Sequence, residues 1–274
     1  MEAVVSFELS INTYGAGPPV VILHGLFGSK RNFSAIARRL ADAFHVVTVD
    51  LRNHGESPWD DRHDYPALAE DVARLIEQRL GRPAAVIGHS MGGKAAMLLA
   101  LTRPDLVDRL VVVDIPPARS HGTPISYVQA MRAVPLEQLS RRAEVEAALA
   151  AAIADPVVRG FLVTNIVSRP EGLAWTVNLE AIERQFDTIL GWPAPADGTE
   201  FTRPTLFLTG AASTFVQPEH EAVIHELFPA ARIEVISGAG HWVHAEQPEA
   251  FLETVRRFLA RPHEDGEGTF QLRG

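Results

Sequence analysis

The chain has 274 residues, a length that one α/β domain commonly reaches, and its 46% hydrophobic and 22% charged residues exclude a collagen-like, coiled-coil or wholly disordered chain. Against 25 basic residues stand 34 acidic ones, and the formal net charge of −9 offers no basic surface for nucleic acid to bind. Cysteine is absent, so disulfides, thiolate nucleophiles, iron–sulfur clusters and cysteine-ligated zinc are excluded as well.

The first residues include Glu2 and Glu8 and no basic stretch, unlike a secretory signal. No apolar run approaches the roughly 20 residues that a membrane span needs. A soluble, cytoplasmic protein is the expectation.

Short β-branched runs alternate with longer helical patterns, the signature of a mostly parallel sheet covered on both faces. In chain order the sequence predicts strands at 4–11 and 19–23, a helix at 32–43, a strand at 45–49 and a helix at 67–80. Leu68, Val72, Leu75, Ile76 and Leu80 carry that last helix at helical spacing. A strand at 84–88, a helix at 91–102 and a strand at 110–114 follow. From 117 to 202 no strand is evident: Val145, Leu149 and Ile153 mark a helix over 143–154, and Leu179, Ile182, Phe186 and Ile189 mark another over 175–190. The rhythm then resumes with a strand at 205–209, a helix at 219–228, a strand at 232–236 and a helix at 250–260. The expected organisation is a core built from 1–116 and 203–261, an all-helical lid, 117–202, inserted in it, and a polar tail, 262–274. Ligands bind outside the carboxyl ends of parallel strands, so an insert at that edge is placed to act as a lid.

The most informative stretch is Gly88-His89-Ser90-Met91-Gly92, where a buried strand runs straight into a helix. So sharp a turn strains the backbone at Ser90 and exposes its hydroxyl above the strand ends. The N–H of Met91 opens the helix and supplies one donor for an oxyanion. The same residues approach a phosphate loop, with Gly88, Gly93 and Lys94 at the required spacing and a strand ending in Asp114 downstream. Position 95 separates the two readings: it is Ala, which has no hydroxyl for a metal ion. Upstream, His24-Gly25-Leu26-Phe27-Gly28 forms a glycine-flanked turn after a strand and aims the N–H of Leu26 at the same space. Downstream, His241 lies in a loop after the last strand, where a general base for Ser90 belongs.

Four stretches, HGLFG from His24, DLRNHGES from Asp50, GHSMGGK from Gly88 and GAGHWVHAEQP from Gly238, resemble the α/β-hydrolase superfamily in the order that family uses. The run from His24 to Asp114 is similar to the small-lidded YbfF-type esterases and their mitochondrial abhydrolase relatives. The resemblance covers both sheet blocks and is weakest in the insert. It implies the α/β-hydrolase fold, with Ser90 as nucleophile, His241 as base and the Leu26 and Met91 amides as oxyanion donors.

At the family's usual acid position this chain has Ser213, and serine cannot steady an imidazolium as a carboxylate does. Asp114 is the expected acid, because it ends the strand after the nucleophile strand; Asp187 in the insert and Glu246 near His241 are the alternatives. Asp50, Arg52 and His54 are read as braces, His89 as a core histidine and Lys94 as a packing residue. No H-E-x-x-H motif occurs, so no metal is expected.

The expected activity is hydrolysis of short to medium acyl esters, with thioesters as a variant, through an acyl-enzyme and without a cofactor. Phe27, Trp175, Phe186, Phe215 and Trp242 are the expected pocket residues, a small acyl ester is the expected partner, and the chain is a monomer or homodimer. Two rivals are kept. One is a different reaction on the same residues: carbon–carbon hydrolysis, lyase chemistry or perhydrolysis. The other is a vestigial binding protein, which Ser213 favours.

Overall fold

The computed structural model describes residues 7–121 and 125–260. Its strands are β1 (Ile11–Tyr14), β2 (Pro19–Leu23), β3 (His45–Val49), β4 (Ala84–His89), β5 (Val107–Val113), β6 (Ile166–Arg169), β7 (Gly172–Trp175), β8 (Thr205–Gly210) and β9 (Ala231–Ile236). Before the insert come helices α1 (Ser34–Leu40), α2 (Tyr65–Leu75) and α3 (Met91–Thr102). The insert carries α4 (Ile125–Ala133), α5 (Arg142–Leu149), α6 (Pro156–Leu162), α7 (Leu179–Arg184) and α8 (Phe186–Leu190). After it follow α9 (Glu221–Leu227), α10 (Val243–Glu246) and α11 (Pro248–Leu259).

Seven strands form one sheet in the order β1-β3-β2-β4-β5-β8-β9, parallel throughout except at the edge strand β1. Strands β2 and β4 are buried along their whole length, as strands covered on both faces must be. The strand period of two then divides the core. Val21, Leu23, Val86 and Val112 pack with α2, α3 and α9, while Val20, Ile22, Ile87 and Val113 pack with α1 and α11. Helix α11 shows why one stripe suffices: Phe251, Leu252, Val255, Phe258 and Leu259 are buried and fall on one face at helical spacing. Helix α2 starts where Asp64 accepts the N–H of Ala67 at 2.8 Å, with Pro66 in the first turn.

Two expectations change. Of the strand expected at 4–11, residues 4–6 lie outside the described residues, and the first strand is Ile11–Tyr14, antiparallel to Val46–Val49. Ahead of it, the N–H of Ser10 goes to the Ser57 hydroxyl at 2.8 Å, a side-chain bond in place of a ladder bond. The insert is not all helical: β6 and β7 form a hairpin in which Ile166 faces Trp175, closed by a turn that places Gly172 at φ 127°. The helix expected at 175–190 is therefore shorter and broken. It begins after Asn178, whose side chain accepts the N–H of Ala181 at 3.2 Å, and Gln185 interrupts it.

Candidate active site

Ser90 stands alone between β4 and α3 with φ 53° and ψ −119°, a left-handed conformation that costs a non-glycine residue about 1–3 kcal/mol. Its N–H is held by the carbonyl of Val113 at 3.0 Å. The flanking glycines are steric necessities. A Cβ at Gly92 would lie 2.5 Å from the His24 carbonyl oxygen, and one at Gly88 would collide with the Gly92 carbonyl. Met91 is the first residue of α3, so its N–H belongs to those that helix geometry leaves without an intrahelical acceptor.

The turn after β2 packs directly on this elbow: a Cβ at Gly25 would come within 3.2 Å of the Ser90 Cβ. The N–H of Gly28 closes the turn on the Gly25 carbonyl at 2.9 Å, and Phe27 takes the positive φ, 60°, that its third position demands. Both amide groups of Phe27 are used, the N–H on His54 Nε2 at 3.2 Å and the carbonyl by Asn165 Nδ2 at 2.8 Å. His24 Nε2 likewise accepts the Leu51 N–H at 3.0 Å while its Nδ1–H donates to the Gly25 carbonyl at 2.8 Å. Acceptance at Nε2 requires neutral rings, and burial enforces it, lowering His24 to about 4 and His54 to about 3. The DLRNHGES segment is bracing of the same kind. Asp50 accepts the N–H groups of Lys30 and Glu56 at 2.7 and 2.9 Å, and Arg52 grips Asp71 at 2.6 and 2.9 Å.

His241 arrives from the loop after β9, and its Nδ1–H donates to Asp114 Oδ2 at 2.7 Å. Asp114 follows β5, has φ 54° and a side chain with no exposure. Its other donors come from the end of β8 and the loop beyond: Thr209 Oγ1 at 2.6 Å, the Gly210 N–H at 3.3 Å and Ser213 Oγ at 2.5 Å. Ser213 thus hydrogen-bonds to Asp114. The ring of Phe215 stacks on His241 at 3.8 Å, and His89 Nε2–H holds the His241 carbonyl at 2.9 Å. The alternative acids have other partners. Asp187 pairs with Arg119 at 2.5 Å on the surface, and Glu246 accepts the N–H groups of Gly240 and Trp242 at 2.8 and 3.1 Å.

Ser90, His241, Leu26, Phe27, Phe215 and Trp242 line one cavity of about 420 Å³. Two expected pocket residues are not on its wall: Trp175 sits opposite Ile166 in the hairpin, and Phe186 is buried in the core. The insert contributes Tyr127 from α4 and Val157, Val158, Phe161 and Leu162 from α6 instead. The sequence carries a signal for α6: Asp155, whose side chain accepts the Val157 N–H at 2.8 Å, precedes Pro156 and an apolar run. Lys94 turns away from the cavity; its ammonium donates to the carbonyls of Leu190 and Gly191 at 2.8 and 2.6 Å, and burial lowers it to about 7. A phosphate loop would need that lysine for its ligand.

The chain matches the family model for the alpha/beta hydrolase fold over residues 18–248. The mouse (Mus musculus) sn-1-specific diacylglycerol lipase ABHD11 is 42% identical over 253 residues, 89% of this chain and 81% of that protein. Esterase YbfF of Escherichia coli (strain K12) is 37% identical over 243 residues, 88% of this chain and 92% of that one. Among solved structures, a marine microorganism esterase matches with a TM-score of 0.88 at 35% identity, covering 92% of this chain and 100% of its own. No helix among the described residues is long and apolar enough to cross a membrane.

Proposed function

The chain belongs to the alpha/beta hydrolase fold family, and from that premise we propose that it is a serine esterase cleaving short- to medium-chain carboxylic esters through an acyl-enzyme. The observation that carries this reading is the 2.7 Å bond from His241 to a fully buried Asp114, with His241 and Ser90 on the wall of the same cavity. Relatives named as esterases and lipases support ester bonds as the target.

Ser90 Oγ attacks the ester carbonyl as His241 takes its proton, and the bond to Asp114 steadies the imidazolium that forms. The N–H groups of Leu26 and Met91 receive the oxyanion, each worth about 3 kcal/mol in the transition state. His241 then protonates the departing alcohol, water enters, and His241 deprotonates it to release the acid from Ser90. A thioester carbonyl is open to the same attack. The insert, 117–202, serves as a lid on the core of 1–116 and 203–261, and α6 forms the acyl wall. Ser213, the one feature that favoured a vestigial site, assists Asp114 in this scheme.

The test is turnover of p-nitrophenyl esters of graded acyl length, with Ser90→Ala as control. Turnover that peaks at short to medium chains and vanishes in the variant supports the reading. Equal turnover in Ser90→Ala, or none at any length, overturns it.

A further inference from the structure

Helix α6 gives the cavity an apolar lining, Val157, Val158, Phe161 and Leu162, whereas Asn32 and Glu246 are exposed polar residues of the same lining. Among the described residues lining the cavity, Glu246 is the single Asp, Glu, Lys or Arg. Burial keeps the histidines His24, His89 and His244 neutral there, with the last lowered to about 3. Each oxygen of Glu246 accepts one backbone N–H, from Gly240 and from Trp242, and among the described residues no Lys or Arg side chain pairs with it. The cations closest in the chain to the lining residues Asn32 and Val158 are engaged elsewhere. Lys30 pairs with Asp50 and Glu56, Arg31 with Glu56, and Arg159 of α6 points at the carbonyls of Ile153 and Ala154.

We propose that this uncompensated carboxylate makes the site select esters by the charge of the leaving group, accepting neutral and cationic alcohols and rejecting anionic ones. The inference rests on the esterase reading above. In this proposal the acyl chain lies along α6 and the leaving group passes Glu246. A unit charge several ångströms from Glu246, at a dielectric between bulk water and half that value, changes kcat/KM by about three- to eightfold. The net charge of −9 acts in the same direction over longer distances, and salt screens it. A multiply charged leaving group such as a nucleotide thiol is disfavoured accordingly.

Three hexanoate esters of para-substituted phenols test this: methyl 4-hydroxybenzoate (neutral), 4-hydroxybenzoate (anionic) and 4-(trimethylammonio)phenol (cationic). Relative to Glu246→Gln, which cancels their differences in leaving-group acidity, the unaltered protein is expected to favour the cationic ester over the neutral and the neutral over the anionic. Glu246→Gln narrows the neutral-to-anionic ratio by about three- to eightfold, whereas Glu249→Gln, a like charge on α11 paired with Arg39, leaves that ratio where it was. A loop loosened by the substitution lowers all three esters together and does not move the ratio. In the unaltered protein, added salt raises turnover of the anionic ester, lowers that of the cationic one and leaves the neutral one unchanged. The proposal is overturned if Glu246→Gln leaves the ratio intact, or if the anionic ester ignores salt. Turnover independent of Ser90, or none with any of the three esters, overturns the esterase reading and this inference with it.

Discussion

Asp114 and Ser90 share a backbone peculiarity, φ near +54° at a residue with a side chain, and both stand just past a strand's carboxyl end. Asp114 accepts four donors at once, from His241, Ser213, Thr209 and the Gly210 N–H, so its carboxylate is fixed before any substrate arrives. Asp114→Asn removes the charge that steadies the imidazolium, and kcat is expected to fall about ten-thousandfold. Ser213→Ala removes one donor of the four but keeps the charge, and kcat is expected to fall no more than about a hundredfold, the scale of one hydrogen bond to a charged group. Steady-state kinetics on one ester check both, and equal losses in the two variants would contradict the assignment. Ser90 and His241 were legible as candidates because the glycines that shape their turns lie within a few residues of them. The partnership of Ser213 with Asp114 was not, because it depends on β5 and β8 lying side by side, with Val113 paired to Leu208.

At the scale of elements, the parallel strands and their helices could be read from runs such as Pro19–Leu23 and Ala84–His89, whose apolar character follows from burial on both faces. The insert was harder, because its elements are short and half exposed. Ile166–Arg169 has only two β-branched residues, and no local pattern separates that hairpin from a turn. Trp175 and Phe186 are absent from the cavity lining, and α6, which contributes to it, is seven residues long with too few turns for a periodic signal. Phe161 meets Trp242 of the His241 loop at 5.6 Å between ring centres, and both line the cavity. Phe161→Ala is expected to shift the acyl optimum to longer chains and raise kcat/KM on them about tenfold. An unchanged optimum across the ester series would place the acyl chain elsewhere.

Across the whole molecule, five loops converge on the carboxyl edge of one sheet: those after β2, β4, β5, β8 and β9. Neutral buried histidines brace the loops after β2, β3 and β9 at this edge, and this makes acid the fold's weakness. His24, His54 and His244 lie at about 4, 3 and 3, against an ordinary 6.5. Below 6.5 the unfolded chain binds protons at these positions that the folded chain refuses, so stability falls as pH drops from 6.5 towards 4. Circular dichroism is expected to show cooperative unfolding that begins above about pH 4, before most carboxylates titrate. A fold intact at about pH 3 would contradict this. The most direct test is mass spectrometry of protein quenched in acid during the first turnovers of p-nitrophenyl hexanoate, as intact mass and then as digested peptides. A transient hexanoyl adduct is expected on the peptide containing Ser90, formed at the rate of the nitrophenol burst and absent in Ser90→Ala. Catalytic turnover with no adduct on Ser90, or an adduct on another residue, would contradict it.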